Sequence, residues 1–440
     1  MIFRGQRVLT PEGLKPASIH VTDGRIETVS GYDDVTAGAH IIDAGNDLLT
    51  PGIVDSHVHI NEPGRTEWEG FRTATQAAAA GGITTVVDMP LNCIPATTSR
   101  AAAEEKLAAL KDQLQIDVAF WGGVVPGNLS ELEGLARFGV PGAKCFLCPS
   151  GVDEFPHVGR AELDAALPVL RDLGLTLLVH AEAPGPLEKA EAAVAGQDPN
   201  AYATYLHSRP RAAEDEAIAM IIELCRKHRA KAHIVHLSSA SAIPLLAAAQ
   251  SDGVQITAET CLHYLAFTAE EITAGATHFK CSPPIREASN RELLWKGLEA
   301  GTISMVVSDH SPCTPQLKEG HFMGAWGGIA SLQLGLSVLY TLATERGFSL
   351  QQIWKWNTEA PAALAGLSGR KGRLARGHDA DLVIWDDKAT VTVEAQHLRH
   401  KHKVSPYIGR TFKGRVKQTY VRGALAWPSV EPAGTFVKKS

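Results

Sequence analysis

Apolar residues along the chain gather in short runs, and most lack the strict alternation of a strand half in water. Eight runs recur, at residues 48–59, 82–89, 116–125, 142–147, 175–180, 232–237, 254–260 and 303–309, and most carry polar, chemically capable residues at or near their ends. Strands buried on both faces carry this signature, and such burial is typical of parallel sheets. Between several runs lie Ala- and Leu-rich stretches with helical spacing: 73–80, stopped by Gly81-Gly82, then 101–114, 161–173, 214–228 and 240–249. Eight strand units joined by crossovers close most economically as an α/β architecture of the (β/α)8 type, a TIM barrel. A doubly wound open sheet satisfies the same periodicity, so the pattern alone leaves both open.

The ends read differently. Residues 1–50 hold short strand patterns around the turn Asp23-Gly24, and residues 372–430 hold similar ones at 380–385, 391–393 and 416–421, with Gly423 at a turn. Flanking a barrel over 51–371, segments 1–50 and 372–440 predict one small β domain assembled from both ends. From Glu431 onward, Pro432, Gly434 and the final Lys-Lys-Ser read as a loose tail.

Composition narrows the class. The 440 residues are 45% hydrophobic and 20% charged, which excludes wholesale disorder and collagen-like repeats. No apolar run approaches the ~20 residues of a membrane span, and residues 1–10 show no secretory apolar core. A net charge of −6 offers no basic surplus for nucleic acid or anionic lipid. The seven cysteines are odd in number and scattered, as expected for reduced, cytoplasmic thiols rather than a disulfide framework.

The chemistry sits at the run ends. His57-Val58-His59 closes the first run, and residues i and i+2 of a strand face the same side, so both imidazoles enter one space. Alone, the pair also reads as two polar residues ending a strand. Other runs end near Lys144, His180, His236 and Asp309, and in a (β/α)8 barrel those ends meet on the one face that carries active sites. Imidazoles with a carboxylate suit Zn, and equally Mn, Fe, Co or Ni. Lys144 is the odd member, because an ammonium has no lone pair. Either it makes a structural ion pair, or it reacts with carbon dioxide to give a carbamate able to bridge two cations.

Val54–His59, Gly142-Ala143-Lys144-Cys145-Phe146, Val179-His180-Ala181-Glu182, Val235-His236-Leu237-Ser238-Ser239 and Ser308-Asp309-His310-Ser311-Pro312-Cys313 resemble the cyclic amidohydrolases of the amidohydrolase superfamily. Asp23-Gly24-Arg25-Ile26 and Gly377–Val383 extend the likeness to nearly the whole chain. The resemblance implies a distorted barrel, a β-sandwich built from both ends and two divalent ions. It assigns His57, His59 and Asp309 to one ion, His180 and His236 to the other, and N6-carboxylated Lys144 as the bridge. Dihydroorotases of this family carry an arginine where this chain has Asn61, and losing that fork to the substrate carboxylate would cost roughly several kcal/mol. Trp68-Glu69-Gly70, Met89-Pro90-Leu91-Asn92, Ala325-Trp326-Gly327-Gly328-Ile329 and His402–Arg410 instead resemble the allantoinase branch. That branch implies ring opening of allantoin to allantoate by a metal-bridged hydroxide, with Asp309 as general base and acid, and a homotetramer. Hydantoinase or dihydropyrimidinase activity is the alternative, and a non-catalytic scaffold the rival from another class.

Ser282, Gly327 and Asn92 are the candidate substrate contacts, with a turn-capping role equally open for Asn92. Glu182 and His263 are candidates to orient the ligand imidazoles. His310 and His233 read as structural or packing residues. The Cys145–Cys148 spacing has no second pair at zinc-ribbon distance, and His397, His400 and His402 read as a solvated or subunit-contact segment.

Overall fold

The computed structural model describes residues 1–439. The eight apolar runs form the eight strands of one closed barrel. In chain order these are β1 Ile53–Val58, β2 Ile83–Asp88, β3 Asp117–Phe120 with its continuation Gly122–Gly123, and β4 Gly142–Phe146. They continue as β5 Thr176–His180, β6 Ala232–Ile234, β7 Ile256–Cys261 and β8 Met305–Val307. Every neighbouring pair from β1 to β8 is parallel. The ring shuts just past the strand ends, where Val58 bridges His310 in parallel and His59 N–H donates to the His310 carbonyl at 2.8 Å. Closure excludes the open doubly wound sheet.

Helices cover the outside as the periodicity predicts, with shifted ends: Phe71–Ala80, Arg100–Ala109, Arg160–Asp172, Arg211–His228 and Ile243–Ser251. Helices Ala288–Glu299 and Gly335–Glu345 were not anticipated, since their apolar positions are diluted by polar ones or merge with flanking apolar segments.

Both chain ends join one eight-stranded sheet. Its joint is Leu48–Pro51, parallel to Ile2–Thr10 on one side and antiparallel to Leu382–Thr392 on the other. Alternation along these strands divides them between two cores. Leu48, Val383 and Trp385 face the barrel's core, whereas Leu49, Leu382 and Ile384 join Phe3, Ile19 and Tyr420 in a smaller one.

The end of the chain corrects the sequence reading. Residues 433–439 are docked, not loose, and Ser440 lies outside the described residues. Val118 N–H donates to the Thr435 carbonyl at 3.0 Å and Val437 N–H to the Val118 carbonyl at 2.9 Å. Phe436 packs on Phe120 and Phe138, and Val437 is buried. The first half of β3 therefore bonds β2 on one side and the chain end on the other, and only beyond Trp121 does it reach β4. Polar composition suggested a tail, but unpaired backbone groups at the base of β3 need partners, and this segment supplies them.

Below the barrel, buried Lys371 holds Asp117 at 2.6 Å, Asp381 at 2.7 Å and Asp379 at 3.0 Å, while Arg422 also binds Asp117. This network ties the terminal sheet to β3. Burial pushes the Asp379 carboxyl up, but Lys371 and Arg370 prevail and hold it below its ordinary value. Replacing Lys371 with Met removes a cation from buried acids and should destabilise the protein by about 3–5 kcal/mol in urea unfolding at pH 7. Without the lysine the folded-state carboxyl pKa values rise above their unfolded values, so the deficit should shrink as pH is lowered toward 4.

Candidate active site

The strand ends bring His57, His59, Lys144, His180, His236 and Asp309 to one end of the barrel, and all six are buried. His57 and His59 share a side of β1 and its extension, with Nε2 atoms 3.2 and 3.6 Å from Asp309 Oδ1. Across the site, His180 Nδ1 lies 3.0 Å from His236 Nε2. Two ligands at ~2.0–2.1 Å from a tetrahedral ion stand roughly 3.3 Å apart, so both clusters have the spacing of donors sharing one cation. His236 and Asp309 hold left-handed backbones, with φ of 39° and 42°. Non-glycine residues there are strained, and such strain collects at functional sites.

Lys144 Nζ sits 3.2 Å from His57 Nε2 and makes no ion pair among the described residues. Burial pushes its pKa down to about 8, against the pull of Asp309 and Glu259. The structural ion pair left open by the sequence is thus absent. Burial likewise holds His59 and His236 well below the ordinary imidazole value, with the Lys144 charge adding to it, so both keep a lone pair at neutral pH. Asp309 is raised by burial, opposed by His57 and Lys144. The remaining nitrogen of His236, Nδ1, is buried without a partner. The donor set fits two divalent cations, provided Lys144 is not an ammonium.

Acids behind the imidazoles orient them. Glu182 accepts from His180 Nε2 at 2.7 Å and from Arg209 Nε at 3.1 Å. Burial raises the Glu182 carboxyl, but Arg209 and His180 outweigh it and hold it at about 2. Glu259, on β7, was not singled out from sequence. It accepts from His57 Nδ1 and stays well below the carboxylate range despite burial, because His57 and His233 face it. An acid near the end of the 254–260 run was the signal available, since such a group is seldom buried unless paired. His263 lies near Asp309, within the span of a shared ligand group with Cys261, but neither of its nitrogens has a partner.

Two histidine readings need correction. His233 is not mere packing: its Nε2 lies 3.0 Å from Glu259 and its Nδ1 2.7 Å from Thr257 Oγ1. His400 is fully buried against the His310 ring rather than solvated, although His397 is exposed. His310 is structural as expected, with Nε2 3.3 Å from Glu69 and Nδ1 accepting from Ser331 N–H at 3.2 Å.

A cavity of about 260 Å³ opens onto these groups, and Asn92, Ser282 and Gly327 line it, as do Arg209, Lys280 and Trp326. Asn92 Nδ2 lies 3.5 Å from His59 Nδ1, and Ser282 Oγ pairs with Tyr205 Oη at 2.7 Å. A Cβ on Gly328, at φ 153°, would come within 2.3 Å of the Ser311 carbonyl, so the Gly327-Gly328 turn packs its backbone against the cavity wall. Half-buried Lys318 braces the same wall, donating to the carbonyls of Lys280 and Trp326 at 3.1 and 2.8 Å.

The chain belongs to the amidohydrolase family, whose sequence profile matches residues 48–426. Within it, the sequence is similar to the allantoinase of Streptomyces avermitilis, 48% identical over 100% of this chain and 98% of that one. It is also similar to the allantoinase of Arabidopsis thaliana, 44% identical over 96% of this chain and 87% of the relative. The fold matches the solved L-hydantoinase (dihydropyrimidinase) of Arthrobacter aurescens with a TM-score of 0.94 and 30% identity, covering 99% of each chain.

Arg209 is the cation that permits Glu182 to stay ionised beside His180. Arg209→Met should leave buried Glu182 without its permanent cation, with only His180 beside it, and cost about 3–5 kcal/mol in thermal unfolding, whereas Lys280→Met, which removes a lysine bonded only to carbonyls, should cost less.

Proposed function

We propose that this enzyme is a metal-dependent hydrolase that opens the hydantoin ring of allantoin to give allantoate. The observation carrying this reading is whole-length similarity to allantoinases at up to 48% identity, against 30% for the L-hydantoinase of nearly identical fold. A cavity of about 260 Å³ suits one small ring rather than a polymer.

His57, His59 and Asp309 would hold one divalent ion and His180 and His236 a second, with N6-carboxylated Lys144 between them. Zinc is the first candidate, as imidazole and carboxylate donors suit it. Bound there, the ions supply Lewis acidity, polarising a carbonyl and making water nucleophilic near neutral pH. The Asp309 carboxylate takes a proton from the attacking water as the new C–O bond forms. It then returns that proton to the ring nitrogen as the C–N bond breaks. Burial favours this role by raising the basicity of Asp309. Ser282, the Gly327-Gly328 backbone and Asn92 face the ring and its ureido arm, because each buried amide of the substrate needs a partner.

Carboxylation of Lys144 is supported by its burial without a counter-ion. An isolated buried ammonium is costly, and a carbamate converts that residue into the anionic ligand two cations need. All seven cysteines are free and buried, which fits a reducing compartment such as the cytoplasm. No helix among the described residues is long and apolar enough to cross a membrane. A homotetramer is the assembly implied by the family likeness, and sedimentation velocity measures it.

Steady-state rates on allantoin, hydantoin and dihydrouracil test the substrate, with kcat/KM for allantoin expected to exceed the other two by at least ~10-fold. Faster hydantoin turnover would overturn the assignment in favour of a hydantoinase. Lys144→Ala should lower bound metal from about two ions per chain to one or fewer and reduce kcat by at least ~1000-fold. A carbamate carbon signal after labelling with 13C-bicarbonate should be present in the parent protein and absent from the variant.

A further inference from the structure

Glu259 links three strands of the barrel, its own and two others. From β7 its Oε1 accepts from His57 Nδ1 on β1 and from the His236 backbone N–H, at 3.2 Å, just past β6. Its Oε2 lies 3.0 Å from His233 Nε2 on β6. His233 has its other nitrogen 2.7 Å from Thr257 Oγ1, so the hydroxyl donating there leaves the Nε2 proton for Glu259. Glu259, His57, His233 and His236 are buried, Thr257 at the outer end is exposed, and none of His233, Thr257 or Glu259 lines the cavity.

The contacts have different consequences at the two clusters. Donation from His57 Nδ1 fixes that ring's tautomer and leaves the Nε2 lone pair toward Asp309 and Lys144. The bond to His236 N–H grips the backbone where φ is 39°, a conformation a non-glycine residue keeps only when its surroundings enforce it. One carboxylate thus sets a ring in the first cluster and the backbone of a ring in the second, and His233 sets the carboxylate.

We infer that Glu259 and His233 are positioning residues that couple the two halves of the metal site: Glu259 orients His57 and His236 together, and His233 holds Glu259 in place. The inference rests on the reading that both clusters bind divalent cations. Partners behind ligand imidazoles typically change metal affinity by ~10–100-fold when lost.

The test is chelator competition on cobalt-loaded protein, following both ion release and the visible cobalt bands. Glu259→Gln keeps the side chain's size but lacks the charge and places an NH2 toward one of the donors. It should weaken ion retention by ~10–100-fold and alter the cobalt spectrum. His233→Gln, which touches no proposed ligand, should shift both readouts in the same direction by a smaller factor, roughly 3–10-fold, with a thermal midpoint close to the parent's in the apo form. It also stands as the test if Glu259→Gln does not fold. Unchanged ion retention and an unchanged spectrum in His233→Gln, or in a folded Glu259→Gln, would overturn the inference. These readouts need no substrate: parent protein that binds two ions yet leaves allantoin intact would defeat the allantoinase assignment and not this one.

Discussion

A single bridge between Val58 and His310 closes the barrel, and the active site depends on it. Parallel pairing elsewhere only lays the strands side by side. This last contact, with His59 N–H on the His310 carbonyl, carries the first strand's imidazoles to the carboxylate at the end of the eighth. Strand ends must then converge, because tilted strands in a closed ring leave one shared mouth. His310 serves that closure with its backbone while its ring is engaged by Glu69 and the Ser331 N–H. The neighbour of Asp309 is thus a structural histidine whose work is to hold the ring shut.

A barrel mouth crowded with buried polar groups raises an electrostatic problem, and the protein solves it by pairing almost all of them. Glu182 answers to Arg209 and His180, and Glu259 to His57 and His233. Glu214 answers to Arg286, and Asp88 to Lys106. Buried charges are retained when paired and hydrogen-bonded, and isolated ones are expelled or neutralised. Against that background Lys144 stands out, buried beside imidazoles with no acid of its own. The same logic that makes the other pairs stable makes a plain ammonium there costly.

Much of this was legible in the sequence, for specific reasons. The eight strands were visible because burial on both faces forces apolar runs, and most runs left a polar residue near the C-terminal end. His57 and His59 announced themselves through i, i+2 spacing. The docked chain end was not visible, since Thr435, Phe436 and Val437 act through backbone pairing with Val118 and through packing on Phe120, neither of which leaves a periodic trace. Glu259 and His233 escaped for a related reason: the meaning of each lies in partners on other strands.

By itself the sequence determined which residues can hold cations, in what chain order, and that they lie at strand ends, because side-chain chemistry and local periodicity are properties of short segments. Only the tertiary structure decided which of them meet. It set His180 against His236, His57 and His59 against Asp309, and Lys144 without a counter-ion, and it turned His400 inward. Those outcomes depend on ring closure and on the satisfaction of buried polar groups across strands hundreds of residues apart, and no local pattern encodes such distances.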